Sequence, residues 1–284
     1  MRLGQRAFAR MAIGLCVGVF LAHAGAADLL DKVKEKKLLT LGTEAQFAPF
    51  EFMENGKIVG YSTDLLALVM QDLPGVKADR KDVPFQAILP GLAARKFDFI
   101  VTSVTVTKER DDKFAFTLPI AEATVAVLKR SDNAAVQKPD DLSGKVVGSQ
   151  AGSAQLKVAR EFDQKLKSQG KPGLKEIREY TSFDEAYADL AAGRLDAVTQ
   201  SLSNLGPLVK ARPDVFSVVQ PAIGPKTYYA WVGRKDADSA SLVKLFSDGI
   251  AKANTGGQMS QLQTKWFGFT MSAVSYTHLR AHET

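Results

Sequence analysis

At 284 residues the chain is long enough for two lobes of roughly 100–150 residues each, and its 45% hydrophobic and 24% charged content is that of an ordinary globular protein. Cys16 is the only cysteine, and the three histidines, His23, His278 and His282, lie near the chain ends. Residues 24–277 therefore exclude a Ser/His/Asp triad, a cysteine nucleophile, a histidine base and a structural zinc site, leaving function to carboxylates, Arg, Lys, hydroxyls, aromatics and backbone.

The first element is an address. Arg2, Arg6 and Arg10 precede a short apolar run over residues 11–22 and the small-residue stretch AHAGAAD, the pattern of a secretory signal peptide over residues 1–26. Cleavage after Ala26 is preferred, although Ala24 satisfies the same rule. The apolar run is shorter than the ~20 residues needed to cross a bilayer, and bulky Leu15 disfavours lipidation at Cys16. Losing three arginines and no acid takes the formal charge from +6 to +3. No basic block with interleaved aromatics stands out, so no nucleic-acid partner is expected. An exported chain without cysteine in its mature part suits a bacterial periplasm.

Strands are predicted over residues 38–43, 97–101, 125–129, 145–149, 195–199 and 228–233. Between them, Leu156, Ala159, Phe162 and Leu166 share one face of a helix over 153–168, as do Leu242, Phe246 and Ile250 over 239–254. Thr107 reads as a helix N-cap before Lys108. This alternation implies an α/β fold with largely parallel sheets, and in such sheets ligands bind beyond the carboxyl ends of the strands. After the Trp266-Phe267-Gly268-Phe269 cluster the final SYTHLRAHET lacks apolar periodicity, so residues 272–284 are expected to be a disordered, non-native tail.

Two internal echoes give the layout. LAARKFDFIVTS at 92–103 matches LAAGRLDAVTQS at 190–201, and LGTEA at 41–45 matches VGSQA at 147–151, both at offsets of about a hundred residues. Two echoes in register predict two lobes of like design, with strand-end loops near Thr43 and Ser103 in one and near Ser149 and Ser201 in the other.

The ordered set TEAQFAPFEF, GYSTDL, ILPGLAARKFDFIVTSVTVTKER, FTLP, LSGKVVGSQAGSAQ and AAGRLDAVTQS resembles the periplasmic amino-acid-binding proteins of ABC importers, solute-binding family 3. The resemblance runs from about Leu38 to Phe267. It implies a two-lobe periplasmic-binding-protein type II fold with a two-strand hinge and a central ligand cleft. Lobe 1 is expected over residues 27–121 plus 229–271 and lobe 2 over 122–228, with hinges near 121–123 and 226–229. A small carboxylate-bearing ligand and the membrane permease of an ABC transporter are the implied partners of a monomer, with no cofactor and no metal.

The same resemblance assigns the site. Arg110, closing TSVTVTKER, corresponds to the family's clamp on the ligand α-carboxylate, a role suited to a planar fork of donors; sequence alone favours a helix-surface arginine paired with Glu109 or Asp111, and the resemblance reverses that reading. Ser103 and Thr105, just beyond the 97–101 strand, are either carboxylate donors or strand-end caps, with Thr102 supplying a carbonyl. Glu44 would meet the ligand's amine or polar end, Phe47 would form a stacking wall, and Phe85 is a second wall or a core residue. Gln150, Ser153 and Gln155 open a helix in lobe 2 and would approach the carboxylate from the opposite side. Ser201 stands where many family members carry an aspartate for the α-ammonium, so either Glu44 takes that charge or the ligand lacks a standard α-amino group. The competing function is a secreted cyclohexadienyl dehydratase, acting on arogenate or prephenate, which shares the fold and needs a tuned general acid; Glu44 is the cleft candidate for it.

Overall fold

The structure, a computed structural model, describes residues 28–271. The expected signal peptide, residue 27 and the expected tail lie outside the described residues.

The amino-terminal part runs α1 (Leu29–Lys36), β1 (Leu38–Thr43), a small antiparallel sheet of β2 (Gln46–Phe47), β3 (Glu51–Glu54) and β4 (Lys57–Val59), then α2 (Tyr61–Val69), β5 (Lys77–Asp82), α3 (Phe85–Ala93), β6 (Phe99–Thr105), α4 (Lys108–Asp111) and β7 (Phe114–Glu122). The central part continues with β8 (Val125–Arg130), β9 (Val146–Gln150), α5 (Ala154–Ser168), β10 (Glu176–Tyr180), α6 (Phe183–Ala191), β11 (Ala197–Ser201), α7 (Leu202–Ala211) and β12 (Phe216–Val219). The chain then returns through β13 (Tyr228–Arg234) to α8 (Ala240–Thr255) and α9 (Gln258–Phe267).

Two five-stranded sheets result, ordered β5-β1-β6-β13-β7 and β10-β9-β11-β8-β12, one in each lobe. The chain passes between them at residues 123–124 and 220–227, and these crossings are tied together: Ala123 N donates to the Thr227 carbonyl at 2.8 Å, and Thr227 Oγ1 donates to the Ala123 carbonyl at 3.0 Å. The sheets are mixed rather than largely parallel. β1, β5 and β6 run parallel, as do β9, β10 and β11, but β13 is antiparallel to β6 and β7, and β8 to β11 and β12. The reversed strands are those that adjoin the crossings.

The echoed segments do the same work in both lobes. Asp98 Oδ2 accepts from Thr40 N and Asp196 Oδ2 accepts from Val146 N, each at 2.8 Å, fixing the start of the neighbouring parallel strand. Arg95 and Gly193 both take positive φ, 57° and 74°, in the turn before that aspartate. Thr43 Oγ1 donates to the Val101 carbonyl and Ser149 Oγ to that of Thr199, again in matching places.

Leu156, Ala159, Phe162 and Leu166 are all buried, as are Leu242, Phe246 and Ile250, so both predicted helix faces point into cores. Phe246 stacks on Phe99 at 4.3 Å and meets Trp231 edge-on at 5.8 Å. Side chains of this size each contribute roughly 1.5–3 kcal/mol on full burial. Among the described residues no helix is long and apolar enough to cross a membrane.

Candidate functional site

The carboxyl ends of β1 and β9 face one another across the cleft. Glu44 follows β1 and is 3% exposed; Gln150 ends β9 and is 1% exposed. Gln150 Nε2 donates both to Glu44 Oε1 and, at 3.1 Å, to the Thr181 carbonyl. Glu44 Oε2 is buried without a hydrogen-bond partner. Burial pushes the Glu44 carboxyl up to about 9, helped by the negative charges of Glu51, Asp82 and Asp184 and opposed by the Gln150 bond. Phe47 forms the apolar wall beside it, with ring centroids 5.8 Å from each of Phe50, Phe183 and Tyr229. Phe183 belongs to the opposite lobe, so this wall is shared.

Arg110 lies in α4, whose N-cap is Thr107, as the sequence predicts. It is half-buried, and desolvation holds its guanidinium down to about 10, so it stays charged at neutral pH. Nη1 donates to the Thr105 carbonyl at 2.9 Å and Nη2 to the Gly152 carbonyl at 3.0 Å, one acceptor in each lobe. Gly152 has φ of 74°, a left-handed conformation in which a side chain is strained. The guanidinium carbon lies 5.5 Å from the Phe85 ring centroid, so Phe85 serves as a shelf for the cation. A groove of about 470 Å³ opens outward here, lined by Arg110, Lys113 and Phe114 on one side and Gly152, Ser153 and Lys157 on the other. Ser153 is the N-cap of α5: its Oγ accepts from Leu156 N at 3.0 Å and donates to the Gln150 carbonyl at 2.7 Å. What α5 offers an anion is therefore its first-turn amides rather than the Ser153 hydroxyl.

Ser103 and Thr105 sit inside β6, not beyond it. The β-branched run VTSVT extends the strand by pairing with β13, Thr105 opposite Tyr229 and Val104 opposite Ala230, while Phe97 and Asp98 fall in the preceding turn. The polar groups of Thr102 and Ser103 are also taken. Glu51 Oε1 accepts from Thr102 Oγ1 at 2.6 Å and from Ser103 N at 2.8 Å, and Ser103 Oγ donates to Glu51 Oε2 at 3.4 Å. Thr102 Oγ1 in turn accepts from Glu44 N at 3.3 Å.

Near the crossings a neutral cluster joins the lobes. The Tyr229 hydroxyl donates to Ser201 Oγ at 2.7 Å and lies 3.3 Å from Asn204 Oδ1, while Ser201 Oγ donates to the Ala123 carbonyl at 3.1 Å. Gln155 Nε2 lies 2.7 Å from the Tyr229 oxygen and 3.0 Å from both Ser201 Oγ and Gln200 Oε1. Asn204 Nδ2 reaches across to the Ala48 carbonyl at 3.0 Å. Burial raises the Tyr229 hydroxyl well above its ordinary range, so no member of the cluster carries charge at neutral pH.

The structure thus gathers Glu44, Phe47, Thr102, Ser103, Thr105, Gln150, Gln155 and Ser201 along the cleft, with Phe85, Arg110 and Ser153 at one mouth. Sequence reasoning passed over Glu51, Tyr229 and Asn204. The sequence held no signal for Glu51, since alternation in Phe50-Glu51-Phe52 would turn the acid outward and the structure buries it beside Phe50; Tyr229 stands out only by its place opposite Thr105.

The chain resembles known proteins in sequence and in fold. The L-cystine-binding protein TcyJ of Escherichia coli is 29% identical over 260 residues, 91% of this chain and 93% of that one. The amino acid ABC transporter substrate-binding protein AbpA of Streptococcus pneumoniae, solved bound to L-arginine, superposes with a TM-score of 0.73 at 26% identity, covering 84% of this chain and 97% of that one. An ancestral amino acid-binding protein, a precursor of cyclohexadienyl dehydratase, gives a TM-score of 0.73 at 27% identity, covering 84% and 99%. Residues 39–269, which carry both sheets and every cleft residue named above, match the bacterial extracellular solute-binding proteins, family 3, and the chain belongs to that family.

Proposed function

We propose that the chain is a periplasmic binding protein that captures a small carboxylate-bearing solute, an amino acid or a derivative of one, and delivers it to the membrane permease of an ABC importer. The observation that carries this reading is Arg110. Its guanidinium bonds one backbone carbonyl from each lobe, beside the first turn of α5. A fork of donors placed so is suited to a carboxylate that draws the lobes together. In this reading residues 123–124 and 220–227 are the hinge, the protein acts as a monomer without cofactor, and it performs no chemistry on its ligand. The amino-acid-binding relatives support the solute class.

A thermal-shift panel of L-arginine, L-lysine, L-cystine, L-histidine and L-glutamine tests it, since a ligand at 100 times its Kd adds about 2.7 kcal/mol. At least one should raise the melting temperature; a flat response to the whole panel contradicts the amino-acid reading. One observation favours the dehydratase alternative. Glu44 is held protonated at neutral pH in a dry cleft, which is what a general acid requires. Turnover of prephenate or arogenate, followed by absorbance and abolished in Glu44→Gln, would replace the binding reading with that one.

A further inference from the structure

Glu51 is an acid of the protein's own, fully buried against β6. It takes the Ser103 amide at 2.8 Å and the Thr102 hydroxyl at 2.6 Å, groups inside β6 that are thereby withheld from an incoming anion. We propose that Glu51 is a specificity-determining residue that disfavours solutes with a carboxylate on a short side chain, such as L-glutamate, by occupying the donors that this carboxylate would need. The inference rests on the reading that Arg110 holds the solute's first carboxylate.

The donor inventory carries the argument. With Glu51 in place, the Thr102 hydroxyl and the Ser103 amide are spent, and the anion-seeking groups left are the Arg110 fork and the first-turn amides of α5, with Lys113 and Lys157 lining the open groove beside them. Burial pushes the Glu51 carboxyl up, and the three donors that converge on its two oxygens, with the charge of the Arg80 guanidinium, oppose that shift. Arg80 is itself held from below, donating to Thr43 Oγ1 at 3.2 Å and Thr63 Oγ1 at 2.6 Å. Glu51 is also linked to Glu44, because the Thr102 hydroxyl that it accepts from receives the Glu44 amide. A side-chain carboxylate on the solute would meet a donor set already occupied by Glu51. An acid buried without donors or counter-charge is costly, so exclusion of such a solute should be strong.

L-Glutamate and L-glutamine, nearly isosteric, are the probes, read by melting temperature and calorimetry on wild type, Glu51→Ser, Glu51→Gln and Glu51→Asp. Glu51→Ser shortens the side chain and frees the donors; Glu51→Gln removes only the charge; Glu51→Asp keeps a carboxylate. The expected result is that glutamate produces no shift in wild type and a clear shift in Glu51→Ser. Glutamate affinity relative to glutamine should rise at least tenfold in Glu51→Ser, less in Glu51→Gln and not at all in Glu51→Asp. Glu51→Gln, the closest in shape, supplies the answer should Glu51→Ser fail to fold: no gain in glutamate binding there overturns the proposal. So does a wild-type protein that binds glutamate as tightly as glutamine, or a uniform weakening of both probes, which is what a merely structural residue would give. Arg110→Ala is the separate control. If it binds L-arginine or L-cystine as wild type does, the carboxylate assignment to Arg110 fails, whatever Glu51 does.

Discussion

Glu44 and Gln150 occupy the same place in the two repeated segments LGTEA and VGSQA, and their side chains meet across the cleft, Gln150 Nε2 donating to Glu44 Oε1. The duplication thus brings one loop against its own counterpart, but with an acid on one side and an amide on the other. Two acids there would repel at close range in a dry site. The acid–amide pair instead gives one hydrogen bond and leaves Glu44 Oε2 without a partner in the protein.

Because burial raises the Glu44 carboxyl from 4.5 to about 9, the folded protein holds a proton over that window that the unfolded chain has released. Stability from this group is fully present below pH 4.5 and is lost as pH climbs toward 9, by at most about 1.4 kcal/mol per unit. Glu44→Gln removes the dependence. Melting temperatures across this range should show the variant gaining on wild type as pH rises; parallel curves contradict the assignment.

Tyr229→Phe deletes the hydroxyl that donates to Ser201 and sits 2.7 Å from Gln155 Nε2. Buried partners left unsatisfied cost about 1–3 kcal/mol. Chemical denaturation should show a loss of that size with an unchanged m-value, and a loss below a few tenths would mean that the cluster reorganises freely.

Ser201→Asp places a carboxylate where Ser201 Oγ now donates to the Ala123 carbonyl. Two acceptors then face one another, so the ligand-free protein should melt lower. A solute whose α-ammonium reaches position 201 relieves this, and L-arginine should then produce a larger shift in the variant than in wild type. An equal or smaller shift indicates that the solute's cation lies at Glu44 instead.

Closure should be visible in solution. Arg110 to Gly152, Glu44 to Gln150 and Asn204 to Ala48 all cross between the lobes away from the paired crossings at Ala123 and Thr227. A solute that strengthens these contacts should reduce the radius of gyration, a hinge motion of the binding-protein type. Scattering curves that superpose with and without saturating L-arginine or L-cystine, whichever stabilises the protein, would count against it.

The sequence carried the architecture because repetition and helical periodicity are local signals. Asp98 and Asp196 announced themselves as equivalent, and each proved to anchor a neighbouring strand through the same bond. The Leu156 and Leu242 helix faces were legible for the same reason. The boundary of β6 was not: its last residues owe their strand conformation to pairing with β13, more than a hundred residues away. Glu51 was illegible as a site residue because its role exists only through Thr102 and Ser103, which a hairpin and a crossover bring to it. Motif reading assigned those two residues to a ligand, and the fold has already given their side-chain hydroxyls and the Ser103 amide to Glu51.

The central claim is that one guanidinium holds the solute's carboxylate, and calorimetry on wild type and Arg110→Ala tests it most directly. The probe is whichever of L-arginine, L-lysine, L-cystine, L-histidine and L-glutamine raises the wild-type melting temperature most. Arg110→Ala should lose on the order of 2–5 kcal/mol of binding and still fold, with a small fall in melting temperature from the lost Phe85 contact and carbonyl bonds, because Arg110 is half-buried at the cleft mouth. Arg110→Lys should also bind poorly, since a point charge cannot reproduce the two-pronged geometry. Wild-type affinity in a folded Arg110→Ala would contradict the account.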